Sequence, residues 1–369
     1  MKQELEKLYL KFLKFEEKHL AKDVKFWFGV KEMKPTDQQI KKNIRCYGRE
    51  SFLNFLKNIK DIIYSEAVLK LVLIWSTDQW PLYYYLQFLK KEKIISLKKN
   101  GKIELLRKDF LKIFPRPKEE KEIKEILEKK LKMKLSLEAP TNYPFKTKVF
   151  AQYDQLPISI SSTIFVVKKI LDYLPLNKKF LFIGDDDLVS VYLSLTEPNI
   201  ESLVIDIDEE LLGKIRELAK KFNLKIKTQK VNILKKKKLK ENFIGFLTSP
   251  VYTFEGVKGF VNFGVNQLGK GGGYGFLNLG DESIGARILF LEKFFFEKKL
   301  KIEEIISGKV YYPWRITHPE DKVMEERLSK FFDKKIIKKS PLIGASLWIF
   351  NYIPFKVPKP KKQPFYTYL

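Results

Sequence analysis

Three consecutive aspartates, Asp185 to Asp187, follow an apolar segment, residues 178–184, that is typical of a buried β-strand. A second predicted strand, residues 202–207, carries Asp206 near its end and is followed by Asp208. Parallel strands end at one edge of a sheet, and open α/β sheets bind ligands there, so we expect these carboxylates to lie together. Adjacent carboxylates raise one another's pKa, and a cationic ligand relieves their repulsion. The pattern predicts a site for a cation.

These aspartates belong to an acidic stretch within a basic protein. The chain of 369 residues carries 71 Lys and Arg against 45 Asp and Glu, a formal net charge of +26. Most of the basic residues are lysines, which are typical of a solvated or thermophilic surface and read phosphates less specifically than arginine. Nucleic-acid binding is therefore possible but not favoured. The 34 residues from Phe180 to Gly213 contain no Lys or Arg and nine acids: Asp185, Asp186, Asp187, Glu197, Glu201, Asp206, Asp208, Glu209 and Glu210.

The turn after the first strand argues against a dinucleotide. Gly184 is followed by aspartates where dinucleotide-binding folds carry a glycine-rich turn, and three carboxylates would repel a pyrophosphate. An acid such as Asp206 at the end of the second strand commonly holds ribose hydroxyls. The ligand class that remains is therefore a cationic nucleoside without phosphates. The alternative is that the aspartates only cap the next helix, predicted over 185–195, although three exceed what a cap requires.

Composition excludes several classes of site and of protein. Cys46 is the only cysteine, so an intrachain disulfide and a multi-cysteine metal site are impossible. The histidines are His19 and His318, too few for a His-rich metal centre, and we expect no metal. The first 20 residues form a charged amphipathic helix rather than a signal peptide, and no long uncharged apolar run occurs. These features predict a cytoplasmic protein without a membrane span.

The order of predicted elements indicates an α/β protein in several parts. Residues 1–107 are α-rich and winged-helix-like, with Asn100-Gly101 predicted as a hairpin turn after two helices. The second of those helices is too apolar to read a DNA groove, so a packing or dimerisation module is favoured over DNA binding. Residues 108–147 are predicted as a charged connector and 148–350 as a Rossmann-like, methyltransferase-type parallel sheet domain. Residues 351–369 are predicted to be a flexible tail.

At the acidic residues the sequence resembles a known family, the branched-chain polyamine synthases, or N4-bis(aminopropyl)spermidine synthases, of thermophiles. The resemblance covers about residues 150–350, and the winged-helix-like first domain also matches the architecture of the family. It rests on four motifs: Asp154-Gln155, Gly184-Asp185-Asp186-Asp187-Leu188, Asp206-Ile207-Asp208-Glu209, and Pro250 to Gly256 with Tyr252, Thr253 and Glu255.

The resemblance implies aminopropyl transfer in a homodimer. The donor would be decarboxylated S-adenosylmethionine, a co-substrate rather than a tightly bound cofactor, and the acceptor would be spermidine or a related polyamine. Both are cations, so carboxylates are a suitable lining. The resemblance implies three groups of site residues: Asp185, Asp187 and Asp154 as catalytic residues; Asp186, Tyr252, Glu255 and Gln155 for the acceptor; and Gly184, Asp206, Asp208, Asn232, Ser249 and Pro250 for the donor.

Two departures from the family pattern stand beside these motifs. Ser249 occupies the position where the family usually has an aspartate before Pro-Pro-Tyr-Thr, and Asn232-Ile233 replaces an Asp-Leu pair. The resemblance therefore implies a divergent member with altered or weakened activity. Two other functions stay open: an S-adenosylmethionine-dependent methyltransferase, and a non-catalytic paralogue that binds DNA or senses polyamines, with Lys235–Lys238 and Lys356–Lys362 as phosphate contacts.

Overall fold

The computed structural model divides the chain into two compact units. The first comprises residues 1–112 and 353–369, and the second comprises residues 113–352. Asp154, Cys46, residues 356–369 and most of residues 65–75, the first of the two helices predicted before the hairpin, lie outside the described residues. The structure describes residues 2–28, 51–65, 79–136, 145, 153, 155–176, 178–235, 238–313 and 319–355.

The first unit contains three described helices and a two-stranded hairpin. The elements are α1 (Lys2–Phe28), α2 (Phe52–Ser65), α3 (Gln79–Lys91), β1 (Ile95–Leu97), β2 (Ile103–Leu105) and a 3-10 turn (Lys108–Lys112). The antiparallel pairing of β1 with β2 confirms the predicted hairpin. Its turn needs Gly101, whose φ of 80° lies in the left-handed region that favours glycine. The amide of Lys102 is held by Oδ1 of Asn100 at 3.1 Å.

Aromatic side chains form the core of this unit. The ring of Phe12 lies 4.3 Å from Tyr85 and 5.2 Å from Phe88, centroid to centroid. Tyr84, Tyr85 and Phe88 on α3 are buried, whereas Tyr83 is exposed. The apolar residues of α3 are therefore mostly used for packing inside the unit, and the winged-helix-like character of this unit stays a prediction.

The second unit is an α/β domain built on one seven-stranded sheet, which confirms the predicted fold class. The strands are β3 (Phe180–Ile183), β4 (Ser202–Asp206), β5 (Ile226–Lys230), β6 (Gly245–Thr248), β7 (Gly273–Leu279), β8 (Leu300–Pro313) and β9 (Pro341–Tyr352). Their order across the sheet is β5-β4-β3-β6-β7-β9-β8. Strands β3 to β7 pair in parallel, and β9 is antiparallel to both β7 and β8, so the sheet is mixed rather than wholly parallel.

The strand order places a topological switch point between β3 and β6. The chain leaves β3 towards β4 and β5 and then returns to β6 on the other side of β3. The loops that follow β3 and β6 therefore border one crevice at the carboxyl edge of the sheet, where such folds bind ligands. Strands β3 and β6 are fully buried, which fixes the starting points of both loops.

Helices cover the sheet and connect its strands. They are α4 (Glu120–Leu131), α5 (Ile160–Tyr173), α6 (Val189–Thr196), α7 (Glu209–Phe222), α8 (Phe254–Gln267), α9 (Asp281–Ile284), α10 (Ile288–Glu297), α11 (Pro319–Leu328) and α12 (Lys334–Lys339). None of the helices in the described part of the chain combines the length and apolar character needed to cross a membrane.

The charged segment predicted as a connector packs within the second unit. Nζ of Lys118 lies 3.0 Å from Oε2 of Glu197 in a buried ion pair. Nζ of Lys130, on α4, donates to the carbonyl oxygen of Leu195 at 2.5 Å. Both contacts hold the last turn of α6, where unsatisfied carbonyl groups favour cations.

Candidate active site

The three consecutive aspartates lie in a tight turn that separates their side chains. This acidic turn, residues 184–188, has positive φ at both ends, 72° at Gly184 and 54° at Leu188. The amide of Leu188 donates to the carbonyl oxygen of Asp185 at 2.9 Å and closes the turn. Helix α6 consequently begins at Val189, four residues later than the sequence predicts. The three carboxylates therefore have different partners.

Asp185 caps helix α6. Its side chain is buried, and both carboxylate oxygens accept from the amide of Ser190 at 3.3 Å. Burial raises the pKa of Asp185 well above its usual range, and hydrogen bonds with Ser190 act in the opposite direction. The capping role weighed for the whole aspartate run thus belongs to this residue.

Asp187 is held by two hydrogen bonds from different parts of the chain. Oδ1 accepts from the amide of Ile158 at 2.7 Å, and Oδ2 accepts from Oγ of Ser249 at 3.2 Å. The side-chain amide of Asn278 donates in turn to Oγ of Ser249 at 2.9 Å. Burial raises the pKa of Asp187 to about 7, the Ile158 amide opposes this, and the charge of Asp185 adds to it.

Asp186 is the member of the acidic turn that borders the cleft. Burial, then the charges of Asp187 and Asp206, raise its pKa well above the usual range. Among the described residues, no Lys, Arg or His forms an ion pair with any of the three aspartates. The cleft is a cavity of about 80 Å³ lined by Leu156, Asp186, Ser249, Pro250, Tyr252, Tyr312 and Ile343.

Tyr312 is a cleft residue that the sequence did not single out. Its hydroxyl lies 2.7 Å from that of Tyr252, and the two rings meet nearly at right angles. Tyr312 is positioned by strand β8, which is hydrogen-bonded to the start of α5 through the preceding residue, Tyr311. The amide of Ser159 donates to the carbonyl oxygen of Tyr311 at 2.7 Å, and the amide of Tyr311 donates to Oγ of Ser162 at 2.8 Å. Burial, then the neighbouring Tyr252 phenol and the charges of Asp187 and Asp186, raise the pKa of the Tyr312 phenol well above its usual range.

Beside the acidic turn, the end of β4 supplies a second group of carboxylates. Oδ1 of Asp206 accepts from the amide of Asp208 at 2.8 Å, and burial raises the pKa of Asp206. Asp208 begins α7 by accepting from the amide of Glu210 at 2.9 Å, while its other oxygen accepts from Nε2 of Gln155 at 2.9 Å. Asp208 and Gln155 therefore support the loop, and Asp206 lies next to Gly184, whose missing Cβ would be 3.9 Å from its Oδ2.

Comparison with known proteins decides the family. A model described as the C-terminal domain of branched-chain polyamine synthase A matches residues 144–341, more than half of the chain. The chain belongs to the branched-chain polyamine synthase family. This confirms the resemblance found in the sequence motifs.

Individual relatives of this family member match over shorter segments. An uncharacterized protein of Methanocaldococcus jannaschii is 36% identical over 137 residues, 37% of this chain and 34% of that protein. The N(4)-bis(aminopropyl)spermidine synthase of the same organism is 35% identical over 96 residues, 25% of this chain and 27% of that protein. The chain thus spans about a third or less of the curated relatives it matches. The crystal structure of the branched-chain polyamine synthase from Thermus thermophilus, in complex with N4-aminopropylspermidine and 5'-methylthioadenosine, has 17% identity and a TM-score of 0.48 over 85% of this chain and 90% of that one.

The remaining candidate residues lie partly on the exposed surface and partly in the cleft lining. Asn232 is exposed in the loop after β5, and its Oδ1 accepts from the amide of Leu234 at 2.9 Å. Glu255 is exposed in the first turn of α8, with Oε2 3.6 Å from Nζ of Lys258. Pro250 and Ser249 line the cleft, as expected for residues in the loop after β6.

The acidic stretch divides into two groups in the folded protein. Five of its nine acids lie in the acidic turn or at the end of β4, and these are the aspartates. The four glutamates lie outside this group: Glu197 pairs with Lys118, Glu201 precedes β4 at the amino edge, and Glu209 and Glu210 lie in the first turn of α7, where Glu209 pairs with Arg216 at 2.6 Å. Within the described ranges, no group of three or more His, Cys, Asp or Glu side chains has an arrangement that could hold a metal ion.

Proposed function

We propose that this protein transfers an aminopropyl group from decarboxylated S-adenosylmethionine to spermidine or a related polyamine. The observation that carries the proposal is the cleft at the switch point, bordered by Asp186 and backed by Asp187, with no described cation paired to either carboxylate. Both substrates are cations and would supply the missing positive charge. Family membership supports the same reaction class.

The reaction needs a neutral attacking amine and a place for its proton. The nitrogen lone pair attacks the propyl carbon next to the sulfonium, a C–N bond forms, and the C–S bond breaks. Methylthioadenosine leaves as a neutral thioether, because the bonding electrons return to sulfur. The proton that the acceptor ammonium loses before the attack needs a base, and a carboxylate with a pKa near neutrality, such as Asp187, is suitable.

The geometry favours different roles for the three aspartates of the acidic turn. We assign Asp186 to the cationic acceptor, because it lines the cleft together with Tyr252 and Tyr312. Aromatic rings and a carboxylate together suit an alkylammonium group, through cation–π and charge attraction. Asp185 is assigned to positioning, because its carboxylate is used to cap α6.

Donor binding is proposed for the neighbouring crevice. Asp206 follows the pattern of an acid that holds ribose hydroxyls at the end of the second strand. Gly184, directly beside it, leaves room for close approach of a ligand to the backbone. The hydroxyl of Ser249 in place of a family aspartate supports a further proposal, that acceptor choice or turnover differs from that of relatives with the full motif.

An assay with both substrates tests the proposal. The full chain is incubated with decarboxylated S-adenosylmethionine and spermidine, and methylthioadenosine release and the mass gain of the amine are measured. We expect release of methylthioadenosine and addition of one aminopropyl unit. Methyl transfer from S-adenosylmethionine in the absence of that reaction would instead support the methyltransferase alternative.

A further inference from the structure

Asn278 is a fully buried side chain next to the cleft with an unusual hydrogen-bond pattern. Its Nδ2 donates to Oγ of Ser249, but its Oδ1 has no hydrogen-bond partner in the described part of the structure. Leaving a buried carbonyl oxygen unpaired costs about 1–3 kcal/mol. Asn278 lies on β7 within a strand that is buried throughout, so a hydrophobic residue would pack there without this cost.

The hydrogen bonds around Asn278 run in one direction towards Asp187. Nδ2 of Asn278 donates to Ser249, whose hydroxyl donates to Oδ2 of Asp187. The other carboxylate oxygen is occupied by the amide of Ile158. This direction suits an ionised Asp187, because a carboxylate accepts hydrogen bonds and cannot donate one.

When Asp187 is protonated, these hydrogen bonds must run in the opposite direction, from Asp187 towards Asn278. A protonated Oδ2 donates to Oγ of Ser249, and the Ser249 hydrogen must then find another acceptor. Nδ2 of Asn278 cannot accept, but rotation of the amide by about 180° places Oδ1 in the same position. Oδ1 of Asn278, which is unpaired while Asp187 is ionised, is therefore the acceptor that the Ser249 hydroxyl needs when Asp187 is protonated.

We propose that Ser249 and Asn278 form a reversible hydrogen-bonded chain that keeps Asp187 paired both as a carboxylate and as a carboxylic acid. Asn278 is a positioning residue in this chain, because it acts through Ser249. This hydrogen-bonded chain is a property of the protein alone, whereas its use in catalysis rests on the proposed function.

In the reaction, the chain connects the cleft with Asp187. Ser249 lines the cleft, so before the attack its Oγ can accept a proton from the acceptor's ammonium group while its own hydrogen passes to Oδ2 of Asp187. The amine is then neutral, Asp187 is protonated, and the new Ser249 hydrogen points to Oδ1 of the rotated Asn278. No proton is created or lost in these steps.

The groups around Asp187 make both of its protonation states accessible. Burial and the negative charge of Asp185 favour the protonated form, while Asp186 and the Tyr312 phenol are also close enough for their charges to interact. The Ile158 amide and the Ser249 hydroxyl favour the ionised form. The resulting pKa of about 7 is consistent with exchange at neutral pH.

Nuclear magnetic resonance of the substrate-free protein tests the hydrogen-bonded chain. The protein is labelled at aspartate carboxyl carbons and asparagine side-chain amides. The variants Asp187→Asn and Asn278→Leu assign the Asp187 carboxyl signal and the Asn278 amide signal. We expect the Asn278 amide to change with pH at the same midpoint as the Asp187 carboxyl. Asn262, whose Oδ1 is also buried and without a partner among the described residues, is the matched control and should not follow that midpoint. An Asn278 amide that stays constant while Asp187 titrates would overturn the proposal.

Variants of Ser249 provide a second, kinetic test. Ser249→Ala removes a charge-assisted hydrogen bond from ionised Asp187, so the Asp187 midpoint and the acidic limb of the kcat/KM profile should both move to higher pH. Ser249→Thr retains the hydroxyl and should restore the original midpoint. Absence of a shift in Ser249→Ala would contradict the chain even if aminopropyl transfer is intact, and the resonance titration stands even if the transfer reaction is absent.

Discussion

Oγ of Ser249 donates a hydrogen bond to Oδ2 of Asp187 over 3.2 Å, joining the loop after β6 to the acidic turn after β3. Ser249 is one of the two departures from the pattern that the family resemblance implies, and Asp187 belongs to a motif that is retained. Two carboxylates at this distance would share a proton, because like charges so close cannot both ionise easily. The serine replaces that repulsion with a hydrogen bond and lowers the negative charge of the cleft.

Restoring the family aspartate should raise the proton affinity of the site. In Ser249→Asp, a second carboxylate lies beside Asp187, so the pair should retain a proton to a pH at least about one unit higher than Asp187 alone. Carboxyl carbon resonances followed against pH measure this. Ser249→Asn, which adds no charge, is the control, and an unchanged or lower midpoint in Ser249→Asp would show that the two side chains do not interact as described.

Spermidine binding should weaken as the pH falls. A bound cation stabilises ionised Asp186 and Asp187, whose pKa values burial raises, so binding releases protons at and below neutral pH. Titration calorimetry at pH 6 and pH 8, in buffers of different ionisation enthalpy, should show tighter binding at pH 8 and proton release near pH 7. An affinity that is independent of pH would mean that the polyamine does not contact these groups.

The raised pKa of Asp187 should cost stability above neutral pH. Its pKa is about 7 in the folded protein against 3.8 ordinarily, so the folded state binds more protons between these values. Stability from this group is present at low pH and is lost as the pH rises towards 7. Asp187→Asn, which can still accept from the Ile158 amide, should gain stability relative to the parent between pH 5 and pH 8, by a few kcal/mol at about 1.4 kcal/mol per pKa unit. Urea unfolding at pH 5 and at pH 8 measures this gain in stability, and Glu201→Gln is the control. A gain that does not grow with pH would contradict the raised pKa of Asp187.

Breaking the buried ion pair at the end of α6 should destabilise the second unit strongly. Lys118 and Glu197 have side chains that are only 9% and 12% exposed, so Lys118→Met leaves a buried carboxylate without its cation. A loss of about 3–5 kcal/mol in the free energy of unfolding is expected, measured by denaturant titration. Lys301, whose side chain is 61% exposed in its pair with Glu303, is the control, and Lys301→Met should change stability by less than about 1 kcal/mol. Equal effects of the two variants would contradict the burial of the first pair.

Most of the sheet and the edge that carries the candidate site could be predicted from the sequence, because short apolar strands alternate with amphipathic helices and the aspartates follow the strands. The separate roles of Asp185, Asp186 and Asp187 could not, because they depend on the left-handed conformations of Gly184 and Leu188. Because helix periodicity does not reveal such conformations, the sequence predicted that α6 begins at residue 185, within this turn, rather than at Val189.

Tyr312 was missed for a different reason. Its place in the cleft depends on the pairing of β8 with β9 and on contacts of Tyr311 with the start of α5, all of them between residues far apart in the chain. Local patterns carry no signal for such pairings. The domain boundaries, the winged-helix-like character of the first unit and the homodimer stay predictions.

Transfer kinetics of Asp186→Asn test the central claim most directly. Asn is nearly the same size as Asp but carries no charge, and Glu201→Gln makes the matching change at the exposed amino edge of the sheet. With decarboxylated S-adenosylmethionine saturating, we expect kcat/KM for spermidine to fall by on the order of 100-fold in Asp186→Asn and to stay within about twofold in Glu201→Gln. Aminopropyl transfer that proceeds equally well in both variants would contradict the assignment of the cleft as the site of the cationic acceptor.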